Sequence, residues 1–135
     1  MKVHHELGRD ERSRPLALAI GFFDGVHVGH RAIIAALLRM RRPGHRAAIL
    51  TFLNHPATYL RPEHVPPLIT TMEERIDLLA GTGVDELYAV PFDASIASLD
   101  ARAFLEEIIV QRLAVGSLVI GDNFRVFYAA LLDYS

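Results

Sequence analysis

Between residues 21 and 30 the chain reads Gly21-Phe22-Phe23-Asp24-Gly25-Val26-His27-Val28-Gly29-His30. The residues just before it, 16–20, form a continuous apolar run that is typical of a strand buried on both faces. After it, apolar residues return at helical spacing between residues 33 and 38. Gly21, Gly25 and Gly29 lie four apart, and glycine lets the backbone turn sharply and approach a ligand. The stretch therefore predicts a strand-to-helix turn that contacts a ligand.

The same turn has the features of an anion site. The helix that follows directs its free N–H groups and its positive dipole end toward the turn. His27 and His30 are three residues apart and share a face in a first helical turn, where their imidazoles can donate to phosphate oxygens. Alternatively, they bond to backbone at the helix end, or they bind a metal, although no third ligand has an obvious spacing. Neither a Walker loop nor Gly-x-Gly-x-x-Gly is present.

Further along the chain, apolar strand segments alternate with amphipathic helical segments. Strands are predicted at residues 47–52, 86–90 and 118–120, with one helix starting at a capping box, Thr71 to Glu74, and another capped by Asp100. This alternation predicts an α/β fold, a Rossmann-like parallel sheet with flanking helices. Ligands of such sheets bind beyond the carboxyl ends of the strands.

Bulk properties narrow the class of protein. The chain has 135 residues, of which 51% are hydrophobic and 22% are charged, as expected for one globular domain. We expect residues 1–15 to be a flexible leader and residues 16–135 to form the domain. A net charge of −2 argues against nucleic-acid binding, and Arg39, Arg41, Arg42 and Arg46 are interpreted as a solvated helix end. Without cysteine there is no thiolate nucleophile. The polar N-terminus and short apolar runs favour a cytoplasmic protein without membrane contact.

Three motifs together resemble a known family. His-x-Gly-His is similar to the signature of the nucleotidylyltransferase superfamily, and the whole stretch 21–30 resembles the FMN adenylyltransferase module of bacterial riboflavin kinase/FAD synthetase. Thr51-Phe52-Leu53-Asn54-His55-Pro56 resembles that family's Thr-Phe-x-x-His-Pro segment. Val119-Ile120-Gly121-Asp122-Asn123-Phe124-Arg125 resembles its Val-x-Gly-x-Asn/Asp-Phe-Arg segment. The likeness covers about residues 16 to 125.

The resemblance implies transfer of AMP from ATP to FMN, giving FAD and pyrophosphate, with Mg²⁺ bound alongside ATP; no metal ligand is assigned. It implies catalytic roles for His27, His30 and Asn123. The expected ATP-binding residues are Gly21, Phe23, Asp24, Gly25, His27, Gly29 and His30. The expected flavin-binding residues are Asn54, His55, Pro56, Asn123, Phe124 and Arg125.

Each assignment has a plainer alternative. Asp24 either closes its turn by bonding backbone amides or contacts a ligand or Mg²⁺. Residues 54–56 and Asn123 can be ordinary turn residues after strands. At the level of function, the alternatives are an adenylyl- or cytidylyltransferase for another phosphate acceptor and a catalytically impaired nucleotide- or flavin-binding module. The second and third motifs argue against another acceptor.

The sequence departs from the family pattern after Arg125. Residues 126–132 are almost wholly apolar where the family continues with Phe-Gly and a Gly/Arg-rich loop. The family's later Ser-Ser/Thr-x-x-Arg motif and its riboflavin kinase domain do not occur in this sequence. We therefore expect an active site that holds only one side of the phosphate chain. An apolar tail and an open sheet edge also predict self-association.

We predict that the 135-residue chain binds adenine nucleotide weakly, forms FAD slowly and oligomerises. Transfer requires both sides of the phosphate chain to be held, and one set of donors is missing. The measurement is FAD formation by the isolated chain, with its mass determined by light scattering. A monodisperse monomer that makes FAD at an ordinary enzymatic rate, about 1 s⁻¹ or more, would contradict the prediction.

Overall fold

The computed structural model of the chain describes residues 1–7, 16–26, 28–54, 62–64, 67–113 and 115–120. This part of the chain contains a five-stranded sheet in the order β1-β4-β3-β2-β5, and every neighbouring pair is parallel. The strands are β1 (Lys2–His4), β2 (Leu16–Ile20), β3 (Arg46–Phe52), β4 (Glu86–Val90) and β5 (Val115–Ile120). The predicted Rossmann-like parallel sheet is confirmed.

The order of the strands reverses at β2. From β2 the chain passes to β3 and β4 on one side, then returns to the other side of β2 as β5. Ligands of open α/β sheets bind in the crevice at such a reversal, beyond the carboxyl ends of the strands. Ile20 and Ile120 are register partners, so β2 and β5 end side by side in the sheet.

Two of the helices begin at the capping residues that the sequence predicts, Thr71 and Asp100. They are α1 (Val28–Met40), α2 (Met72–Ala80), α3 (Ala94–Ala97) and α4 (Ala101–Ala103), which continues as a π-helix over Phe104–Arg112. In the capping box of α2, Thr71 Oγ1 accepts from Glu74 N at 3.1 Å and Glu74 Oε1 accepts from Thr71 N at 3.2 Å. Asp100 caps α4 by accepting from Ala103 N at 2.7 Å. Across the described residues, no helix combines the length and apolar character that a membrane span requires.

Both faces of the sheet are covered by apolar layers. On one face Leu16, Leu18 and Ile20 pack in a cluster with Phe104 and Ile108 of the π-helix. On the other face the small residues Ala17 and Ala19 share a cluster with Ile34, Leu37 and Leu79 of α1 and α2. Burial on both faces explains why β2 reads as an unbroken apolar run rather than an alternating one.

The first residues of the expected leader pair with the sheet. Lys2–His4 forms edge strand β1, and Lys2 N donates to Asp85 O at 3.0 Å. The His4 ring stacks on Tyr88 with centroids 4.5 Å apart. The open edge of β4 supplies the hydrogen-bonding partners that a polar segment would otherwise find in water, and sequence periodicity over three residues cannot show this. Residues 8–15 lie outside the described part.

Arg46 is also not the solvated side chain that we expected. It is 3% exposed and forms a buried ion pair with Glu86 Oε2, while Glu86 Oε1 contacts His4 Nε2 at 2.8 Å. Arg46 and Glu86 start neighbouring strands, so the pair joins β3 to β4 at the amino ends of the sheet. Arg41, by contrast, pairs with Asp85 at 2.8 Å while remaining partly exposed.

We predict that Glu86→Ala lowers the free energy of unfolding by about 3–5 kcal/mol, because it leaves the Arg46 guanidinium buried without its compensating charge. The matched control is Glu106→Ala, which breaks the exposed Arg102–Glu106 pair and costs about 0.5 kcal/mol or less. Urea unfolding of both variants measures the difference. Equal losses in the two variants would show that the buried pair does not stabilise the sheet.

Candidate functional site

The turn after β2 is tightly packed. Gly21 N donates to Leu50 O at 3.1 Å, and a Cβ at Gly21 would lie 2.6 Å from Phe23 Cε2, too close for any side chain. Phe23 itself is fully buried and has φ of 57°, in the left-handed region that residues with side chains seldom adopt. Such a conformation costs about 1–3 kcal/mol, which the surrounding packing has to offset. Glycine at position 21 therefore allows the aromatic ring of Phe23 to fold under the turn.

His30 is packed against this ring. It lies in the first turn of α1, is 3% exposed, and its ring centroid is 5.2 Å from that of Phe23 in an edge-to-face arrangement. Gly29, its neighbour, is exposed. His27 lies outside the described residues, directly before the first residue of α1. The phosphate-binding role of both histidines stays a prediction.

Asp24 connects the turn by hydrogen bonds to a segment that is distant in sequence. Its Oδ2 accepts from Ile69 N at 2.7 Å, and its Oδ1 accepts from Thr70 N at 2.8 Å and from Thr70 Oγ1 at 2.6 Å. Gly25, with φ of 76°, donates its N–H to the same Thr70 hydroxyl at 3.2 Å. Asp24 thus bonds backbone amides, as the plainer alternative required, but those of residues 69 and 70 rather than of its own turn.

The carboxylate of Asp24 is stabilised in its charged form. Burial raises its pKa, but the hydrogen bonds from the Thr70 side chain and from the backbone N–H groups of Ile69 and Thr70, with the positive charge of Arg75, outweigh that effect. The pKa is held below the ordinary value of 3.8. The hydrogen bonds between the turn and residues 69–70 therefore depend on a carboxylate that is ionised at neutral pH.

Arg75 is a residue of this region that the sequence reasoning missed. It lies on α2, is 1% exposed, and its Nη1 donates to Phe52 O at 2.7 Å, Phe22 O at 3.2 Å and Thr51 Oγ1 at 3.3 Å. Its guanidinium carbon lies 4.2 Å from the centroid of the Phe22 ring. Burial lowers the pKa of Arg75, and the charge of Asp24 partly opposes this. Arg75 therefore places a buried cation at the carboxyl ends of β2 and β3.

A signal for Arg75 was present in the sequence. The inward stripe of α2 contains Met72, Ile76 and Leu79, and Arg75 falls on that stripe at helical spacing. A charged residue at an inward position is costly unless it meets specific partners, so it marks either a structural junction or a site.

Asn54 bridges the carboxyl ends of β3 and β4. Its Nδ2 donates to Phe92 O and its Oδ1 accepts from Phe92 N, both at 2.9 Å. The Asn54 side chain thus extends the hydrogen bonding between the two strands beyond their last residues. The structure does not test its predicted flavin contact. The other predicted flavin-side residues, His55, Pro56, Asn123, Phe124 and Arg125, lie outside the described residues.

A separate cavity of about 400 Å³ lies near the carboxyl ends of β1 and β4. His5, Pro91, Ile96 and Leu99 are among the residues that line it, and none of the predicted site residues that the structure describes does. It lies toward the β1 edge of the sheet, away from β2 and β5, so volume alone does not locate the chemistry. In the part of the chain that can be described, His, Asp and Glu side chains form no group of three or more that could hold a metal ion.

Comparison with known proteins identifies the family. The FAD synthetase family model matches residues 9–130. This chain belongs to the FAD synthetase family. Among its relatives, the bifunctional riboflavin kinase/FMN adenylyltransferase of Escherichia coli K12 is 36% identical over 109 residues, covering 80% of this chain and 35% of that protein. The protein of the same name from Bacillus subtilis 168 is 34% identical over 122 residues, covering 89% and 38%.

The resemblance predicted from the three motifs is confirmed by this family match. The chain spans little more than a third of the length of the curated relatives that it matches. A solved structure titled macrolide-efflux protein, from Streptococcus pneumoniae, aligns with a TM-score of 0.75 and 24% identity, covering 91% of this chain and 51% of the other. At that identity the likeness supports the α/β fold alone.

We predict that Asp24→Asn makes stability less sensitive to acid. Because the folded-state pKa of Asp24 lies below 3.8, its contribution is present above that pH and is lost as the pH falls through the folded value. Urea unfolding between about pH 6 and about pH 2.5 should show wild type and variant converging at the acid end.

The matched control for this experiment is Glu63→Gln, which neutralises an exposed carboxylate and accounts for the general loss of one charge. A stability difference between wild type and Asp24→Asn that stays constant over the whole range would contradict the role assigned to the Asp24 carboxylate.

Proposed function

We propose that this member of the FAD synthetase family is an FMN adenylyltransferase. A phosphate oxygen of FMN attacks the α-phosphorus of ATP, the bond between the α-phosphorus and its bridging oxygen breaks, and pyrophosphate leaves in line. The observation that carries the proposal is the position of the turn 21–30: it follows β2 at the reversal of strand order and leads into α1. The family match over residues 9–130 supports it.

The nucleotide side of the proposed site is the turn and the start of α1. Backbone N–H groups at the amino end of this 13-residue helix favour phosphate. His27 and His30 would donate to the ATP phosphates. Gly21, Phe23, Gly25 and Gly29 would shape the pocket, and the close packing of Gly21 on Phe23 supports a fixed backbone there.

The flavin side is proposed to follow β3 and β5, which flank β2 on its two sides. Asn54, His55 and Pro56 would contact the flavin after β3, with Phe124 and Arg125 after β5. Asn123 would place the reacting groups. The support for this arrangement is that Asn54 is fixed to Phe92 at the carboxyl edge and cannot swing away from it.

Catalysis at such a site consists of positioning and charge stabilisation, and no covalent intermediate on the protein is required. Mg²⁺ would share the charge of the transferring phosphates. Asp24 supplies an ionised carboxylate in the turn, but hydrogen bonds to residues 69–70 use most of its acceptor capacity. We therefore expect the ATP phosphates to provide the main ligands of Mg²⁺, as is common for this ion.

A cytoplasmic location and self-association remain part of the proposal. Among the strands that the structure describes, β5 is at an edge of the sheet and pairs with β2 alone. An exposed strand edge is a docking surface for another chain. The apolar residues 126–132, proposed as the second route to association, lie outside the described part.

The proposal is tested by following FAD and pyrophosphate formation from ATP, Mg²⁺ and FMN. His27→Ala and His30→Gln should each lower the rate by about 10²–10³-fold, because each removes a donor to the transition-state phosphates. His64→Ala, at an exposed histidine in the turn Pro62–His64, is the matched control and should leave the rate unchanged.

Other outcomes select other functions. Turnover with a different nucleotide or phosphate acceptor, but not with ATP and FMN, would identify a different transferase. Stabilisation of the fold by ATP or FMN without any product would identify a binding module. Full activity in both histidine variants would remove the two imidazoles from the mechanism.

A further inference from the structure

Arg75 joins the two sides of the proposed site. One nitrogen, Nη1, donates to Phe22 O in the turn on the nucleotide side and to Phe52 O, two residues before Asn54 on the flavin side. The same nitrogen donates to Thr51 Oγ1, whose hydroxyl in turn donates to Phe22 O at 2.8 Å. The carboxyl ends of β2 and β3 are therefore held through a single buried cation.

A second attachment lies just before α2. Asp24 accepts from Ile69 N and Thr70 N, and Arg75 follows five residues later in the first turns of the helix. The capping box at Thr71 fixes the start of α2 between these two points. The turn after β2 is thus bonded to the residues just before α2 through Asp24 and to α2 itself through Phe22, and α2 is bonded to the end of β3 through Phe52.

We propose that Arg75 is a positioning residue for adenylyl transfer, a proposal that rests on the function proposed above: its guanidinium sets the spacing between the ATP-binding residues 21–26 and the end of β3, which is followed by the proposed flavin-side residue Asn54. It contacts backbone carbonyls and a hydroxyl in the structure, so it acts through the loops rather than on the substrates. Burying a cation here is costly, and uncharged side chains of similar size pack α2 without that cost. The cost is explained if Nη1 must hold the Phe22 carbonyl of the turn and the Phe52 carbonyl of β3 at a fixed distance.

The expected effect is on turnover more than on the binding of either substrate alone. Each substrate meets its own loop, but transfer needs the FMN phosphate and the α-phosphorus in line and in contact. A displacement of about 1 Å between reacting groups can cost about 10²-fold in rate.

The test compares Arg75→Met and Arg75→Lys. Arg75→Met should lower kcat by about 10²-fold with the separate dissociation constants of ATP and FMN nearly unchanged. Arg75→Lys should restore most of the lost kcat, because the three contacts come from one nitrogen and an ammonium carries three donors. Arg102→Met, at an exposed arginine, is the matched control and should behave as wild type.

A merely structural role gives a different result: Arg75→Met would have a lower melting temperature but the wild-type kcat per folded molecule, and this would overturn the proposal. So would equal losses in the Met and Lys variants. If Arg75→Met does not fold, Arg75→Gln replaces it with the same expected loss of kcat, because its shorter side chain cannot reach both carbonyls.

Failure of the proposed function is a separate outcome, recognised when the wild-type chain forms no FAD. The positioning role of Arg75 is then tested by amide hydrogen exchange. Gly21 N bonds to Leu50 O and Leu53 N bonds to Val90 O, so these amides report on the ends of β2 and β3. Arg75→Met should increase exchange at both together, and unchanged exchange at either one would overturn the proposal.

Discussion

Burial of β2 on both faces is the constraint on which the rest of the structure depends. Because helices cover both sides of the sheet, the backbone of β2 is satisfied only by parallel neighbours, β3 on one side and β5 on the other. The chain reaches these two neighbours by connections that lead to opposite sides of β2, so the order of the strands reverses next to the turn at Gly21. The position of the candidate binding crevice therefore follows from the pairing of β2 with β3 on one side and with β5 on the other.

Arg46 and Arg75 show how the two ends of the same sheet differ. At the amino ends, Arg46 meets the carboxylate of Glu86 on the neighbouring strand, which neutralises both charges in place. At the carboxyl ends, Arg75 meets carbonyl and hydroxyl oxygens, and Asp24 acts on it only as a charge. The first arrangement pairs the two charges directly, whereas in the second the cation is bound by neutral oxygens and the Asp24 charge acts on it from a neighbouring position.

Sequence patterns identified the elements whose causes are local. The apolar run of β2, the capping box at Thr71 and the spacing of Gly21 and Gly25 each depend on neighbouring residues, and they predicted the sheet class and the candidate turn. Strand β1 was missed because its cause is distant: it forms because β4 offers an open edge. The helix after Asp100 was predicted, but its π form over Phe104–Arg112 was not. The sequence pattern places Arg75 as a charged residue on an apolar stripe, but it does not indicate which groups Arg75 contacts.

Asp24 shows why a motif is not a structural unit. Within the stretch 21–30 it resembles a turn-closing residue, yet its partners are the amides of residues 69 and 70. Asp24 lies between two residues in the left-handed region, Phe23 and Gly25. The acidic side chain is then bound by the segment that caps α2, and α2 brings Arg75 under the same turn. The geometry of the turn after β2 is therefore a property of two segments some 45 residues apart in sequence, and a chain that kept the first while losing the second would keep the motif without its shape.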